Sequence, residues 1–324
     1  MNKKIIYASV AVLVLIFLFR GCGNPPEGAK KGEFSVSADK KVYFSQGNLQ
    51  YSPADDKWRF ADNQYDVIGQ TNSQISDTYD GWIDLFAWGT AGEPNGEDNF
   101  YYKFCYKPTD RTSTPKSYGN GIYGPMGPES KYDCELTGEY YKYDWGYNKI
   151  KNGENKRELW RTLTAEEWEY LLFARPRAMQ LLALGDIGGI KGLFIFPDDY
   201  KDKDDLLNLG EDGYNSYWDL WNTGFYDKYS DFNTWNSLTM KDWKKLEKKG
   251  VIFLPTAGIR YGKDVASVNS RGCYWSSTPQ PVNLGFPSCA YYAKIVAFHG
   301  AGVLLYTQQE RSEGCSVRLV TDVD

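Results

Sequence analysis

The sequence predicts an α+β domain of short, mainly antiparallel strands, with two short helices and long loops. Residues 34–38 and 42–45 alternate apolar and polar side chains, as strands with one buried face do. Residues 163–172 and 238–246 carry helix-start signals instead. The stretch 91–155 is rich in Gly, Tyr, Asn and Pro and has little periodicity, which indicates a long ordered insertion.

The first strands follow one another through short polar turns. The first predicted turn covers residues 38–41, between the two alternating segments. A second turn, at residues 53–56, separates the strand-like segments 46–51 and 58–60. An apolar block at residues 82–89 then ends at a glycine. This order predicts hairpins built from neighbouring strands.

Both predicted helices begin with Leu-Thr and place an acidic residue three positions after the threonine. Thr164 with Glu167, and Thr239 with Asp242, fit the capping box. In that motif the hydroxyl accepts from a free amide of the first turn, and the carboxylate accepts from the amide of the capping residue. A tryptophan and leucines share one face of each helix, so we expect both helices to pack on the sheet.

Two further apolar runs, at residues 191–199 and 251–255, predict buried strands after the helices. The order helix, strand, helix, strand would also fit a parallel sheet. The many short strands on either side favour one mainly antiparallel sheet.

Composition narrows the class of partner. The chain has 324 residues and a net charge of −5, with 37 basic and 42 acidic residues. Because it contains no extended basic stripe, nucleic acid is not an expected partner. Aromatic residues make up 16% of the chain, which is typical of glycan- and protein-binding surfaces. The alternative is that large rings fill the irregular core of a loop-rich fold.

The N-terminus predicts export. Two lysines precede an apolar run at residues 5–19, which is too short to span a membrane comfortably. The run is followed by Gly21 and Cys22 and resembles a bacterial lipoprotein signal, in which Cys22 would be lipidated. Arg20 departs from that pattern and leaves an uncleaved anchor as the alternative. We expect an exported, lipid-anchored protein of the outer membrane that faces the cell surface, with a signal peptide at 1–22, a tether at 23–33 and a binding domain at 34–324.

Cysteine usage agrees with export but leaves the pairing open. Apart from Cys22 the chain has five cysteines, an odd number: Cys105, Cys134, Cys273, Cys289 and Cys315. A disulfide between Cys105 and Cys134 would close a loop of the insertion. Cys273 and Cys315 lie in blocks that we expect to form neighbouring strands. The chain has no Cys-x-x-Cys spacing, so no structural zinc site is predicted.

Five blocks in a fixed order carry a resemblance to a known family. They are residues 160–168, 192–199, 253–260, 272–278 and 314–320. With them, the chain from residue 34 to 320 resembles surface lipoproteins of Bacteroidetes that have a C-type-lectin-like domain of the formylglycine-generating-enzyme type. The resemblance implies that fold and ligand binding at the cell surface. Some similar proteins are targets of diversity-generating retroelements, but active diversification here stays open.

Two groups of residues are distinguished in the C-terminal part: those expected to hold the fold together and those expected to face a ligand. Trp275 and Arg318 are expected to be structural, since a guanidinium in an apolar strand needs carboxylate or carbonyl partners. The display surface is expected within residues 278–311. Six side chains there offer rings, hydrogen-bond donors and charge to a ligand: Tyr291, Tyr292, Lys294, His299, Tyr306 and Arg311.

The sequence lacks the residues that the enzymatic hypotheses require. His299 is the only histidine, and no serine near it has a Gly-x-Ser-x-Gly context. No two cysteines match the active-site pair of formylglycine-generating enzymes. The acidic segments 93–95 and 198–205 could hold calcium, but solvated loops are favoured. The sequence therefore predicts no catalytic residue, no cofactor and no metal.

Three functional hypotheses remain. The first is a surface protein that binds an extracellular protein or glycan through its C-terminal loops. The second is an accessory subunit of a surface assembly, such as a fimbrial tip or a polysaccharide-capture complex, with residues 99–148 as the contact. The third is an enzyme of the formylglycine-generating type, which the missing residues disfavour.

Overall fold

The computed structural model describes residues 24–73, 79–90, 135–201, 236–262, 264–280, 292–299, 302–311 and 313–323. These residues form a mixed α+β fold with short, mainly antiparallel strands, and the predicted fold class is confirmed at that level. The helices of this part are α1 (Ala165–Glu169) and α2 (Met240–Lys248). The strands are β1 (Ala29–Ser35), β2 (Lys41–Ser45), β3 (Leu49–Ser52), β4 (Lys57–Phe60), β5 (Leu182–Ile187), β6 (Ile190–Ile195), β7 (Asn236–Leu238), β8 (Ile252–Pro255), β9 (Ile259–Tyr261), β10 (Asp264–Ala266), β11 (Arg271–Pro279), β12 (Tyr292–His299), β13 (Gly302–Glu310) and β14 (Val320–Asp322).

The strands form several small sheets rather than the single sheet that the sequence predicts. The largest has the order β7-β5-β6-β8, and its β5–β7 pair is parallel. The sheet β1-β2-β14 joins the beginning of the described chain to its end, and the sheet β11-β12-β13 is a separate antiparallel unit. The pairs β3-β4 and β9-β10 stand apart. The strands are mostly short and separated by turns, so they form several small sheets. Loops and side chains connect these sheets.

The predicted strands are found close to their expected positions. β1 and β2 pair around the expected turn, with Phe34 opposite Val42. β6 and β8, the two apolar runs after α1, pair antiparallel with Phe194 opposite Phe253. β1 already begins at Ala29, so the last part of the predicted tether belongs to the sheet.

The two helix starts differ in detail. At α1 the capping box is complete: Thr164 Oγ1 accepts from the Glu167 amide at 3.1 Å, and Glu167 Oε2 accepts from the Thr164 amide at 3.0 Å. At α2, Thr239 Oγ1 accepts from the Asp242 amide at 3.2 Å, but the Asp242 carboxylate accepts from the Thr239 hydroxyl at 2.7 Å. Asp is one methylene shorter than Glu, and its carboxylate bonds the nearer hydroxyl. The second prediction is therefore half right.

Both helices are anchored by tryptophan, as predicted. Trp168 of α1 and Trp243 of α2 are each only 1% exposed. α1 continues as a π-helical turn, Tyr170–Ala174, that buries Leu171 and Leu172. The apolar face of a helix pattern is thus buried even where the helix changes its pitch.

The later part of the predicted insertion belongs to the core. Residues 91–134 lie outside the described ranges. From residue 135 onwards the chain forms two short 3-10 turns, and Leu136, Trp145 and Ile150 are fully buried. The lack of periodicity in this stretch therefore marks irregular backbone, not exposure.

Other expectations fall outside the described residues. These include the signal segment with Cys22 and the loop cysteines Cys105 and Cys134. Among the helices of the described chain, none has both the length and the apolar character needed to cross a bilayer.

The guanidinium of Arg318 is buried where the sheets meet. Its Nη1 donates to Asn48 Oδ1 at 3.3 Å, and its Nη2 donates to Gln64 Oε1 at 2.6 Å. Asn48 also donates to the Tyr274 hydroxyl at 3.0 Å, and Gln64 Oε1 accepts from the Phe253 amide at 2.9 Å. Burial lowers the pKa of Arg318 to about 10, so the side chain stays charged at neutral pH. The predicted structural role and carbonyl partners are confirmed.

Arg318→Lys is expected to lower the free energy of unfolding by about 3 kcal/mol. A lysine keeps the charge, but it cannot donate to both amides from one planar group, and a buried charge with lost partners is costly. Urea denaturation measures the loss. The matched control is Arg157→Lys at an exposed position, which should change stability by less than about 0.5 kcal/mol. Equal effects of the two substitutions would contradict the assigned role.

Candidate functional site

The sheet β11-β12-β13 forms a rigid scaffold because both of its faces are packed. On one face Tyr274 stacks on Phe298, with ring centroids 5.8 Å apart and planes at 17°. On the other face Trp275 and Ile295 belong to a second buried cluster. β12 is therefore a nearly continuous apolar run in its middle, and only its ends reach the surface.

A local irregularity in this sheet turns Lys294 toward the surface. The pairing of β11 with β12 shifts between Trp275 and Pro279. Inside the shift, the Ser276 hydroxyl donates to the Lys294 carbonyl at 2.8 Å, and the Ser276 carbonyl accepts from the Trp88 indole at 2.9 Å. A small serine thus satisfies a local main-chain group at this position. The main chain at Lys294 is held in place as a result.

A small cleft lies between α1 and the start of β12. Its cavity volume is about 20 Å³, room for roughly one water-sized group. Glu166 is exposed at its rim, whereas Glu169 and Lys294 are half-buried. The residues around it are Ala165, Glu166, Trp168, Glu169, Ser276, Lys294, Ile295 and Val296.

Two residues that line this cleft, Lys294 and Trp168, carry donors without a partner in the described part of the chain. Within the described part of the chain, no carboxylate lies within ion-pair distance of the Lys294 ammonium. The indole N–H of Trp168 is buried and has no acceptor in the same residues. A buried donor without a partner costs about 1–3 kcal/mol. The carboxylates of Glu166 and Glu169 add acceptors beside these donors.

Tyr292 extends the same surface at the first position of β12. Its hydroxyl donates to Glu310 Oε1 at 3.4 Å, across the β12–β13 pair. Its main-chain carbonyl accepts from the Gln280 amide and from Arg311 Nε, both at 3.0 Å. Tyr292 and Lys294 are two residues apart on one strand and so lie on the same face. Of the six predicted ligand residues, these two are brought together.

Arg311 occupies a different place from the one that the sequence indicates. It is only 2% exposed, and its guanidinium lies over the ring of Trp88, 4.5 Å from the centroid. Because Arg311 also donates a hydrogen bond to the Tyr292 carbonyl, its guanidinium supports the candidate surface from the protein interior. We therefore correct its assignment from display residue to support, since the stacking of a guanidinium on an aromatic face removes both from solvent.

The remaining predicted residues are separated from the cleft or fall outside the described side chains. His299 is at the far end of β12, about 17 Å from Lys294 at the usual rise of a strand. Burial lowers its pKa below 6.5, and the charge of Arg271 on the paired strand lowers it further. The imidazole is thus neutral at pH 7. Tyr306 lies in β13, but its side chain is outside the described part, as is Tyr291 altogether.

Sequence reasoning missed the contribution of α1 to the site. It identified Trp168 as a core residue, which is correct, but nothing in a capped helix indicates which strand the helix packs against. Glu166 and Glu169 therefore gave no signal of their own. The proximity of α1 and β12 results from the tertiary packing alone.

Asp198, in one of the segments considered for calcium binding, has structural partners instead. Asp198 Oδ1 accepts from Arg175 Nη1 at 2.9 Å, and Oδ2 accepts from the Ser35 amide and hydroxyl at 3.0 and 2.6 Å. The carboxylate therefore ties β1 to the chain after β6. In the described part of the chain, no three His, Cys, Asp or Glu residues cluster in a way that could hold a metal ion.

Comparisons of this chain with protein-family models, with curated proteins and with solved structures find no match. The described residues themselves define an α+β domain with a small cleft beside a packed three-stranded sheet.

The neutral imidazole of His299 gives a prediction about pH. Because its pKa in the folded state is below the unfolded value of 6.5, the unfolded state binds the proton more readily. His299 should therefore cost stability as the pH falls through 6.5. Since His299 is the only histidine, NMR titration should show one imidazole with a pKa under 6.5.

The matching measurement compares the chain with His299→Gln by urea denaturation at pH 7.5 and pH 5.5. The variant should lose less stability than the parent over this interval. The difference between the two proteins isolates the histidine from Asp84 and Asp144, whose pKa values burial raises to about 6. An imidazole pKa above 6.5 would contradict the described environment.

Proposed function

We propose that this protein is a lipid-anchored, ligand-binding protein of the cell surface, with a C-type-lectin-like domain of the formylglycine-generating-enzyme type. It would recognise an extracellular glycan or protein through the surface at the start of β12. The observation that carries the proposal is the cleft lined by Lys294, Trp168 and two glutamates, where, among the described residues, the Lys294 ammonium has no carboxylate within ion-pair distance and the Trp168 indole N–H has no acceptor. The anchor and the specific fold rest on the sequence resemblance.

The chemistry of the cleft favours a ligand with hydroxyl groups. A hydroxyl both donates and accepts, so one group can bond a glutamate and take a hydrogen bond from the ammonium or the indole. The cavity volume of about 20 Å³ admits one such group, and the rest of the ligand would lie outside it. Tyr292, two positions away, offers a ring face of the kind that packs against sugars and peptides.

The rigidity of the sheet that carries Lys294 and Tyr292 favours a binding role. Lys294 is on a strand with a packed sheet around it, and the Tyr292 carbonyl is held by two donors. A main chain held in this way loses little freedom when a ligand arrives, which lowers the entropic cost of association.

The other two hypotheses receive less support. The Ser276 hydroxyl in the cleft donates to a main-chain carbonyl, and His299 is about 17 Å along the strand from Lys294, so the two are not arranged as nucleophile and base. The assembly-subunit hypothesis depends on residues 99–148, most of which lie outside the described ranges.

The test uses the full chain in mild detergent, screened on a glycan array and on extracellular proteins. For any ligand found, Lys294→Met should weaken binding by about 10- to 100-fold, because a charge-assisted hydrogen bond is lost while the apolar stem remains. The matched control is Lys149→Met, at an exposed lysine away from β12, which should bind as the parent does. Tyr292→Ala should also weaken binding.

Two outcomes would overturn the assignment of the cleft. One is equal affinity of Lys294→Met and the parent, with both chains melting at the same temperature. The other is complete loss of binding in EDTA that calcium restores, because that would place the ligand at a metal site outside the described cleft.

A further inference from the structure

Two buried thiols face each other on neighbouring chain segments. Tyr274 of β11 and Ser316 form a parallel bridge. In this bridge the Ser316 amide donates to the Cys273 carbonyl at 2.9 Å, and the Trp275 amide donates to the Ser316 carbonyl at 3.1 Å. That pattern sets residue 316 beside residue 274 and therefore residue 315 beside residue 273.

The side chains of this neighbouring pair point to the same side. Cys273 and Cys315 are both fully buried and belong to the same apolar cluster, whereas Tyr274 packs into a different one. After burial, the neighbouring Cys273 thiol is the next cause that raises the pKa of the Cys315 thiol, in agreement with two adjacent side chains. Adjacent strands are about 4.8 Å apart, which lies within the range of Cα separations that a disulfide bridges.

We propose that Cys273 and Cys315 are an oxidation site and form a disulfide when the chain folds in an oxidising compartment. This bond would close a loop of about 40 residues that contains all of β12 and β13 and the rest of β11. The disulfide would then join the sheet that carries Lys294 and Tyr292 covalently to the chain segment at Cys315. The proposal gives two of the five remaining cysteines a pairing that the sequence left open.

The chemistry requires an oxidant, which we name as a small disulfide such as oxidised glutathione. The Cys273 thiolate attacks one glutathione sulfur and releases the first glutathione thiolate. The Cys315 thiolate then attacks the Cys273 sulfur of the mixed disulfide and releases the second. The two cysteine thiols lose two protons and two electrons, and the oxidant becomes two molecules of reduced glutathione.

Burial decides when this exchange can occur. The thiolate is the reactive form, and burial raises the pKa of the Cys315 thiol well above its usual range. In the closed fold both sulfurs are also shielded from a soluble reagent. The bond should therefore form while the strands are still assembling, and once buried it should resist reduction until the chain unfolds.

The test refolds the reduced full chain in a glutathione redox buffer, which makes it independent of export and of ligand binding. Alkylation in denaturant without reductant, followed by digestion and mass spectrometry, should find the peptides of Cys273 and Cys315 linked. Dithiothreitol should separate them rapidly in urea and at least 100-fold more slowly without it. Alkylated Cys273 and Cys315, or a link from either one to another cysteine, would overturn the proposal.

A melting experiment provides the second readout. The linked chain, reduced in urea and refolded in dithiothreitol, should melt about 10 °C lower than the oxidised chain, as expected for a loop of this length. The double variant Cys273→Ala/Cys315→Ala should melt at the same temperature with and without reductant. If the parent also showed no change on reduction, a stabilising bond between these residues would be contradicted.

Discussion

The buried guanidinium of Arg318 is the constraint on which the other parts of this fold depend. A buried charge needs hydrogen-bond partners, and Nη1 and Nη2 find theirs in Asn48 and Gln64, far away in the sequence, whereas Nε has no acceptor among the described residues. Gln64 in turn accepts from the Phe253 amide and donates to the Val251 carbonyl at 3.1 Å. One cation therefore positions the end of the chain, its N-terminal hairpins and the start of β8 relative to one another.

The candidate site is positioned by the hydrogen bonds around Arg318. Asn48 also donates to the Tyr274 hydroxyl, which itself donates to the Pro255 carbonyl at 2.8 Å. Tyr274 is part of β11, and β11 pairs with the strand that presents Lys294. The surface at β12 is thus connected to the buried cation through one tyrosine, so a loss of order at Arg318 would affect the residues of the candidate site without direct contact.

Buried polar groups link the parts of this domain alongside its apolar clusters. Asp144, fully buried, accepts from the Gly146 amide at 2.7 Å and from the Thr162 amide at 3.0 Å. Arg175 and Asp198 make a similar link between β1 and the chain after β6. Small sheets with irregular connections leave many main-chain groups without ladder partners, and buried side chains must satisfy them.

The sequence by itself determined local features of this protein: the positions of its first four strands and of β6 and β8, the capped start of α1, the two tryptophans that anchor the helices, and the burial of Arg318. Each of these depends on neighbours within a few residues or on the cost of placing a charge in an apolar run. Only the tertiary structure decided that α1 packs beside Lys294 and that Arg311 supports the surface from within. Those relations join residues distant in the chain, and a single sequence contains no signal for such pairings because local propensity is the same whichever strand becomes the neighbour.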